Sequence, residues 1–431
     1  MKKVCTLAAA ALALSACAPA GGGASTEQTA GGVRKEITFL TFETPNLGPE
    51  IWDAQIKRVT DKHPDITVKK LVAPSAGERN SYAKQLLASG QLPDVMAAIA
   101  PGGFAESGQL APWDDAELAA YEFPKVNPLR GKIYQLPYNT QPTPLIYYNK
   151  KLFADAGIST PPKTWAALLE ASAKLKAKGI NPFVVGGGGK DAFAAGYLWI
   201  ALVGTDVYSK QPDFLVKRRA GTVRFTDPDF QKATAKFVDL VRKGYVDKAG
   251  LSRDYPSTEK AFVEGKGAMY PMGSWFAASA DATKPSFDVG VFPLPTDDGA
   301  KPIVPAYTGG GPIVNAKAKN LDAAKRFALE FNQNQANNDE TVKSDAAIIA
   351  IKGYTPPTMG PVYDATLQVY KDALEAGGVV NAFTVETGDD SLLPGVSDKV
   401  FALAQDIIAG KKDAAQVTKE LDAEWVKAGG R

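Results

Sequence analysis

At 431 residues the chain is long enough for more than one domain with its own core. Its 49 basic and 47 acidic side chains nearly cancel. That balance argues against nucleic acid as the main partner, because neutralising phosphates needs a basic excess. Past the N-terminus no unbroken apolar stretch is long enough for a transmembrane helix.

The chain opens MKKVCTLAAAALALSACAPAGGGAS. Lys2 and Lys3 form a basic region, Val4 to Leu14 is apolar, and small residues lead to a cysteine. This is the pattern of an export signal. Leu14-Ser15-Ala16-Cys17 resembles a bacterial lipobox, which implies cleavage before Cys17 and lipid on that residue. Ordinary cleavage near Ala18 or Ala20 is the alternative. On the lipobox reading, residues 1–16 are the signal, and residues 17–34 are the lipidated cysteine and a flexible, Ala-, Gly- and Ser-containing tether. Cys5 is lost with the signal, so the mature chain has no disulfide.

Structure is expected to begin with a strand at 36–43. A helix over 50–62 follows, with Ile51, Ala54, Gln55 and Val59 on one face, and it stops at His63-Pro64. DITVKKLV (65–72) reads as a strand, ERNSYAKQLLAS (78–89) as a helix closed by Gly90, and LPDVMAAIA (92–100) as a third strand. Strands alternating with helices predict a parallel sheet covered by helices. After a Pro-rich stretch come a strand at 145–149, a helix from Thr164 to Gly179 and a strand in NPFVVGG (181–187). An apolar helix is expected over 192–203, and a helix over 229–243 capped by Asp227-Pro228. A further helix runs from Ser257 to Glu264, and a strand from Ala268 to Met272 ends in Gly273-Ser274-Trp275. FDVGVFPLP (287–295) and TGGGPIVN (308–315) read as strands, and the chain from Leu321 is mostly helical.

HPDITVK, YAKQLLASGQLPDVMA, LIYYNKKLF, AFVEGKGAMYPMGSW and GGGPIVNAKAKNLDAAKRFALEF occur in this order. In order and spacing, over nearly the whole mature chain, the sequence resembles the solute-binding proteins of ABC importers. The group it resembles is the maltose-binding-like one, extracellular solute-binding protein family 1. The resemblance implies an α/β fold of the type II periplasmic-binding-protein kind. Each of two lobes would hold a mostly parallel sheet covered by helices, with three hinge crossings and a ligand enclosed by lobe closure. By position the crossings fall near Thr140–Pro144, near Val304–Thr308 and within Phe331–Asn338. The N-terminal lobe would then comprise 35–141 plus 308–333, and the C-terminal lobe 142–307 plus 334–431. The resemblance further implies a monomer without enzymatic activity or cofactor. It would capture a mono- or short oligosaccharide and deliver it to permease transmembrane subunits driven by an ATPase. Its only hold on the membrane would be the lipid, at the outer face of the cell membrane, on the periplasmic side in a Gram-negative cell.

In open α/β sheets ligands sit beyond the carboxyl ends of strands. Glu43 and Thr44 follow the first strand, and Arg79 starts the helix after the second. Tyr138 and Asn139 lie at the first crossing, and Tyr307, Gly309 and Gly310 at the second. Asp191 ends the glycine run 186–189, and Tyr197 and Trp199 lie in the apolar helix. Carboxylates accept bonds from hydroxyls, amides both donate and accept, rings face sugar C–H groups, and glycines admit a ligand close to backbone. Plainer readings stand beside these: a surface acid for Glu43, hinge structure for Tyr138 and Asn139, lobe core for Tyr197 and Trp199. Trp275 is the first bulky side chain past a strand's end and the leading candidate for a ring stacked on sugar, against a lobe-packing role. The glycine run is not a phosphate loop, since Val184 and Asp191 stand where that motif needs Gly and Ser or Thr. The lone histidine, His63, supports neither a metal cluster nor a Ser-His-Asp set. The other function classes are the same fold binding a non-sugar solute, and a glycoside hydrolase, which needs two carboxylates flanking the scissile bond.

Overall fold

The first strand, KEITFLT, is rich in the β-branched and aromatic residues that fit a pleated, buried surface. Ile37, Phe39 and Leu40 within it are fully buried. The computed structural model describes residues 34–189, 191–385 and 387–431. In chain order its strands are β1 (Lys35–Thr41), β2 (Ile66–Val72), β3 (Val95–Met96), β4 (Pro137–Pro142), β5 (Leu145–Asn149), β6 (Met269–Met272), β7 (Val289–Phe292), β8 (Val304–Gly310), β9 (Ile313–Val314), β10 (Ile348–Ile349) and β11 (Val379–Asn381).

One sheet has the order β2-β1-β3-β9, with β1 parallel to β2 and β3, and β9 antiparallel to β3. The helices Pro49–Lys62 and Leu321–Gln333 pack on it. Between them, the Phe39 ring stands 6.1 Å from Trp52 and 5.2 Å from both Phe327 and Phe331. These residues form the core of the smaller lobe. The larger lobe is built on β6-β5-β7 and holds Tyr147, Trp199, Phe230, Phe383 and Trp425 in its core.

The expectation of a mostly parallel sheet in each lobe needs correction in the larger one. There β5 runs antiparallel to both neighbours. All five of its residues are buried. A strand covered on both faces is a continuous apolar run whichever way its neighbours point, so its pattern carries no direction. The strand expected in NPFVVGG reduces to parallel bridges from Phe183 to Val246 and Met269.

A third sheet, β10-β4-β8-β11, joins the lobes, with β4 antiparallel to both β8 and β10 and β11 parallel to β8. The chain passes between the cores along β4 and β8. It passes again at Asn334, where the helix Leu321–Gln333 gives way to Gln335–Asp345. Asn334 is extended, and its side-chain oxygen accepts from the Asn337 N–H (3.1 Å), so it caps the second helix as the chain turns. Among the described residues no helix is long and apolar enough to cross a membrane. Cys17, the expected lipidation site, lies outside the described residues.

Candidate ligand cleft

A cavity of about 560 Å³ lies between the lobes, beside β4 and β8. That is within the range of roughly 300–1,000 Å³ usual for small-molecule sites. Glu43, Thr44, Arg79, Tyr138, Asn139, Asp191, Tyr197, Trp275, Tyr307 and Gly310 all line it.

On the smaller lobe, the Thr44 hydroxyl accepts from the N–H groups of Asn46 (3.2 Å) and Leu47 (3.0 Å). The hydroxyl thus shapes the turn that holds the exposed Glu43 at the cavity. Arg79 donates through Nε to the Ala98 carbonyl (2.8 Å), and its guanidinium lies 5.1 Å from the centre of the Phe42 ring. It therefore ties the loop after β3 to the end of β1.

At the hinge, Asn139 is buried on β4 against Gly310 of β8. A Cβ on Gly310 would come 2.5 Å from Asn139 Oδ1, and its φ of +68° is left-handed. Both facts require glycine there. Tyr138 and Tyr197 have hydroxyl pKa values pushed up, mainly by burial. The Tyr307 hydroxyl is hydrogen-bonded to that of Thr384.

On the larger lobe, Ser274 and Phe276 are fully buried and fix Trp275 between them. The Ser274 N–H donates to the Pro142 carbonyl of β4 (2.9 Å), and the Phe276 ring packs edge-on against Tyr147 (4.9 Å) and Tyr270 (5.0 Å). The Trp275 ring folds back over Gly273, where a Cβ would come within 2.2 Å of it. Its centre is 6.3 Å from the Tyr197 ring, edge to face. Asp191 is already engaged: its carboxylate accepts from the Tyr255 N–H (2.8 Å) at the start of the helix Tyr255–Val263.

Two expected residues do not reach the cavity wall. Trp199 is 0 % exposed, and its indole N–H donates to Thr234 Oγ1 (3.1 Å) within the larger core. It stands two positions after Tyr197, roughly 200° further round the helix, so it points away from the ring that faces the cleft. Gly309 sits behind the wall with φ +135°, where a Cβ would come 2.9 Å from Gln135 Oε1.

Sequence reasoning missed several wall residues: Gln135, Gln141, Tyr255, Asn332, Asp345 and Asp398. Gln141 Nε2 donates to the Asp345 carboxylate (3.1 Å). Burial pushes the Asp345 pKa up to about 7, with Gln141 and the Arg79 charge pulling the other way. Gln141 and Asn332 fall within expected crossings, so a search for polar residues at crossings would have found them. Asp345 ends a polar helix and carries no local sign of its position.

The sequence profile of the bacterial extracellular solute-binding proteins matches residues 45–337. An ABC transporter extracellular-binding protein of Pyrococcus horikoshii is 27% identical over 339 residues, 75% of this chain and 72% of its own. The sn-glycerol-3-phosphate-binding periplasmic protein UgpB of Shigella flexneri is 34% identical over 176 residues, 39% of this chain and 37% of its own. Among solved structures, a chitin oligosaccharide binding protein superposes with a TM-score of 0.80 at 25% identity, over 92% of this chain and 99% of that one. With that sequence profile running through both lobes and the cleft between them, the chain belongs to the bacterial extracellular solute-binding protein family.

Proposed function

We propose that the protein captures a mono- or short oligosaccharide in the interlobe cavity and delivers it to the membrane permease of an ABC importer. The observation that carries this reading is the pairing, in one cavity, of the Tyr197 and Trp275 rings with amide and carboxylate groups from both lobes. Rings cover the C–H faces of a sugar, while amides and carboxylates take its hydroxyls. The structural likeness to a chitin oligosaccharide binding protein supports the same class of solute. The family is one of solute receptors rather than of enzymes, and the role needs no chemical step, so the sugar leaves unchanged.

The protein works outside the cell membrane as a monomer, held there by lipid on Cys17 through the tether 17–34. Residues 35–141 with 308–333, and 142–307 with 334–431, close over the solute as two bodies. The solute contacts come from Glu43, Thr44, Arg79, Tyr138, Asn139, Asp191, Tyr197, Trp275, Tyr307 and Gly310.

A thermal-shift screen against a sugar panel, with sn-glycerol-3-phosphate included, tests the reading. A ligand at 100 times its Kd adds about 2.7 kcal/mol of apparent stability. We expect such a shift with at least one sugar, and mass spectrometry should recover that sugar intact. A shift with glycerol phosphate and with no sugar would overturn the assignment.

A further inference from the structure

We propose that the solute carries a protonated amine, as in an amino sugar or its oligomers, with the ammonium seated against Asp345 and the tyrosines beside it. This inference rests on the sugar reading above and narrows it.

The charges around the cavity point this way first. Its wall carries Glu43, Asp191, Asp345 and Asp398 against Arg79 and Lys84. Lys84 is exposed, and Arg79 is bonded to the Ala98 carbonyl and stacked on Phe42. A phosphate or carboxylate ligand would therefore meet more acids than bases.

Asp345 is the acid best placed to take a cation. Among the described residues its one hydrogen bond is the one from Gln141, although a carboxylate has about four acceptor positions. Asp191 is held by the Tyr255 N–H at the start of a helix, whereas the partner of Asp345, Gln141, is a side chain on the hinge strand β4. Asp345 lines the same cavity as Tyr138 and Tyr255. A carboxylate in a cavity also lined by aromatic side chains is the chemistry that holds an ammonium group, because ring faces attract cations. Arg79 is the positive side chain whose charge reaches Asp345, and the cost of burying the carboxylate outweighs it. A cationic ligand offsets that cost, whereas a neutral hydroxyl leaves most of it standing.

An independent observation concerns an acceptor. The side-chain carbonyl oxygen of Asn332 has no hydrogen-bond partner among the described residues. Asn332 is 3 % exposed and lines the same cavity. A buried acceptor without a partner is costly until a ligand supplies a donor. An ammonium offers three donors and no acceptor.

Titration calorimetry at pH 7.5 on the full chain tests the proposal. The probes are glucosamine, galactosamine and mannosamine with the one- to three-unit oligomers of glucosamine, each matched to its N-acetyl counterpart, plus glucosamine 6-phosphate. We expect one amine to bind at least tenfold tighter than its N-acetyl form, and its phosphorylated form to bind more weakly. In Asp345→Asn that preference should shrink to a ratio near one. If no amine binds more tightly than its acetylated partner, the amine inference falls. Binding of the acetylated sugars in that case leaves the sugar reading standing. A folded protein that responds to no sugar overturns both. The wild-type comparison decides the matter even if the variant is unstable.

Discussion

Two side chains at the cavity make separate predictions. Trp275 is held by its neighbours in sequence, with Ser274 and Phe276 buried on either side and Gly273 leaving room for the ring. A ring fixed in this way loses little freedom when a sugar stacks on it. Trp275→Ala should therefore cost on the order of 1–3 kcal/mol of binding, the usual loss for one stacked ring. Calorimetry with the sugar found in the screen measures it, and an unchanged affinity removes Trp275 from the site. Asp345 predicts the pH dependence of stability. Its pKa in the folded protein, about 7, lies above the ordinary carboxylate value. The folded state thus binds more protons than the unfolded one between about pH 4 and 7, so stability falls as pH rises through that window. Burial is the main cause, and the groups whose charges or hydrogen bonds bear on it are Gln141, Arg79, Tyr138 and Tyr255. Without ligand, Asp345→Asn should be the more stable protein at pH 8, on the order of 1–2 kcal/mol, and should lose that advantage at pH 4. Denaturant melts at the two pH values check this, and a variant less stable than wild type at pH 8 contradicts it.

At the scale of elements, helices with marked ends could be read closely from sequence. The helix expected over 50–62 is Pro49–Lys62, and the one expected over 229–243 is Pro228–Arg242. Each opens on a proline and has one apolar face, and both signals are local. The helix expected from Ser257 begins at Tyr255, because Asp254 accepts from the Ser257 N–H (2.9 Å) and is the true cap. TGGGPIVN was expected as one strand and is the end of β8, a corner, and β9, which belong to different sheets. The left-handed Gly309 and Gly310 at the end of β8, and Pro312 after them, make that corner. Nothing local says that the two halves pair with different partners. The same limit explains the direction of β5, the placing of Trp199 and the omission of Asp345. Each depends on which distant element packs alongside, and Gln141 and Asp345 are 204 residues apart in sequence. The cleft residues that could be foreseen are those just past strand ends or at crossings, where topology alone places them.

For the molecule as a whole, the question is what holds the lobes together once a solute is inside. Beyond the hinge strands, and besides the bonds of Gln55 and Arg58 to the helix Gln335–Asp345, hydrogen bonds between loops join them. Asn46 Nδ2 donates to the Trp275 carbonyl (3.4 Å), and the Asp389 N–H donates to the Pro128 carbonyl (2.8 Å). The first joins the turn that carries Glu43 to the turn that carries Trp275, so it can form only when the cleft is narrow. A contact made only in the closed arrangement biases the open–closed equilibrium without touching the ligand. Its loss should leave the encounter of sugar with the open cleft unchanged and hasten reopening. Asn46→Ala should therefore weaken binding by about 0.5–1.5 kcal/mol, the net worth of one hydrogen bond, and nearly all of that loss should fall on the dissociation rate. Stopped-flow tryptophan fluorescence separates the two rates. A slower association with an unchanged dissociation rate would place Asn46 at the entrance of the cleft rather than across it, and the latch would have to be sought at Asp389 instead.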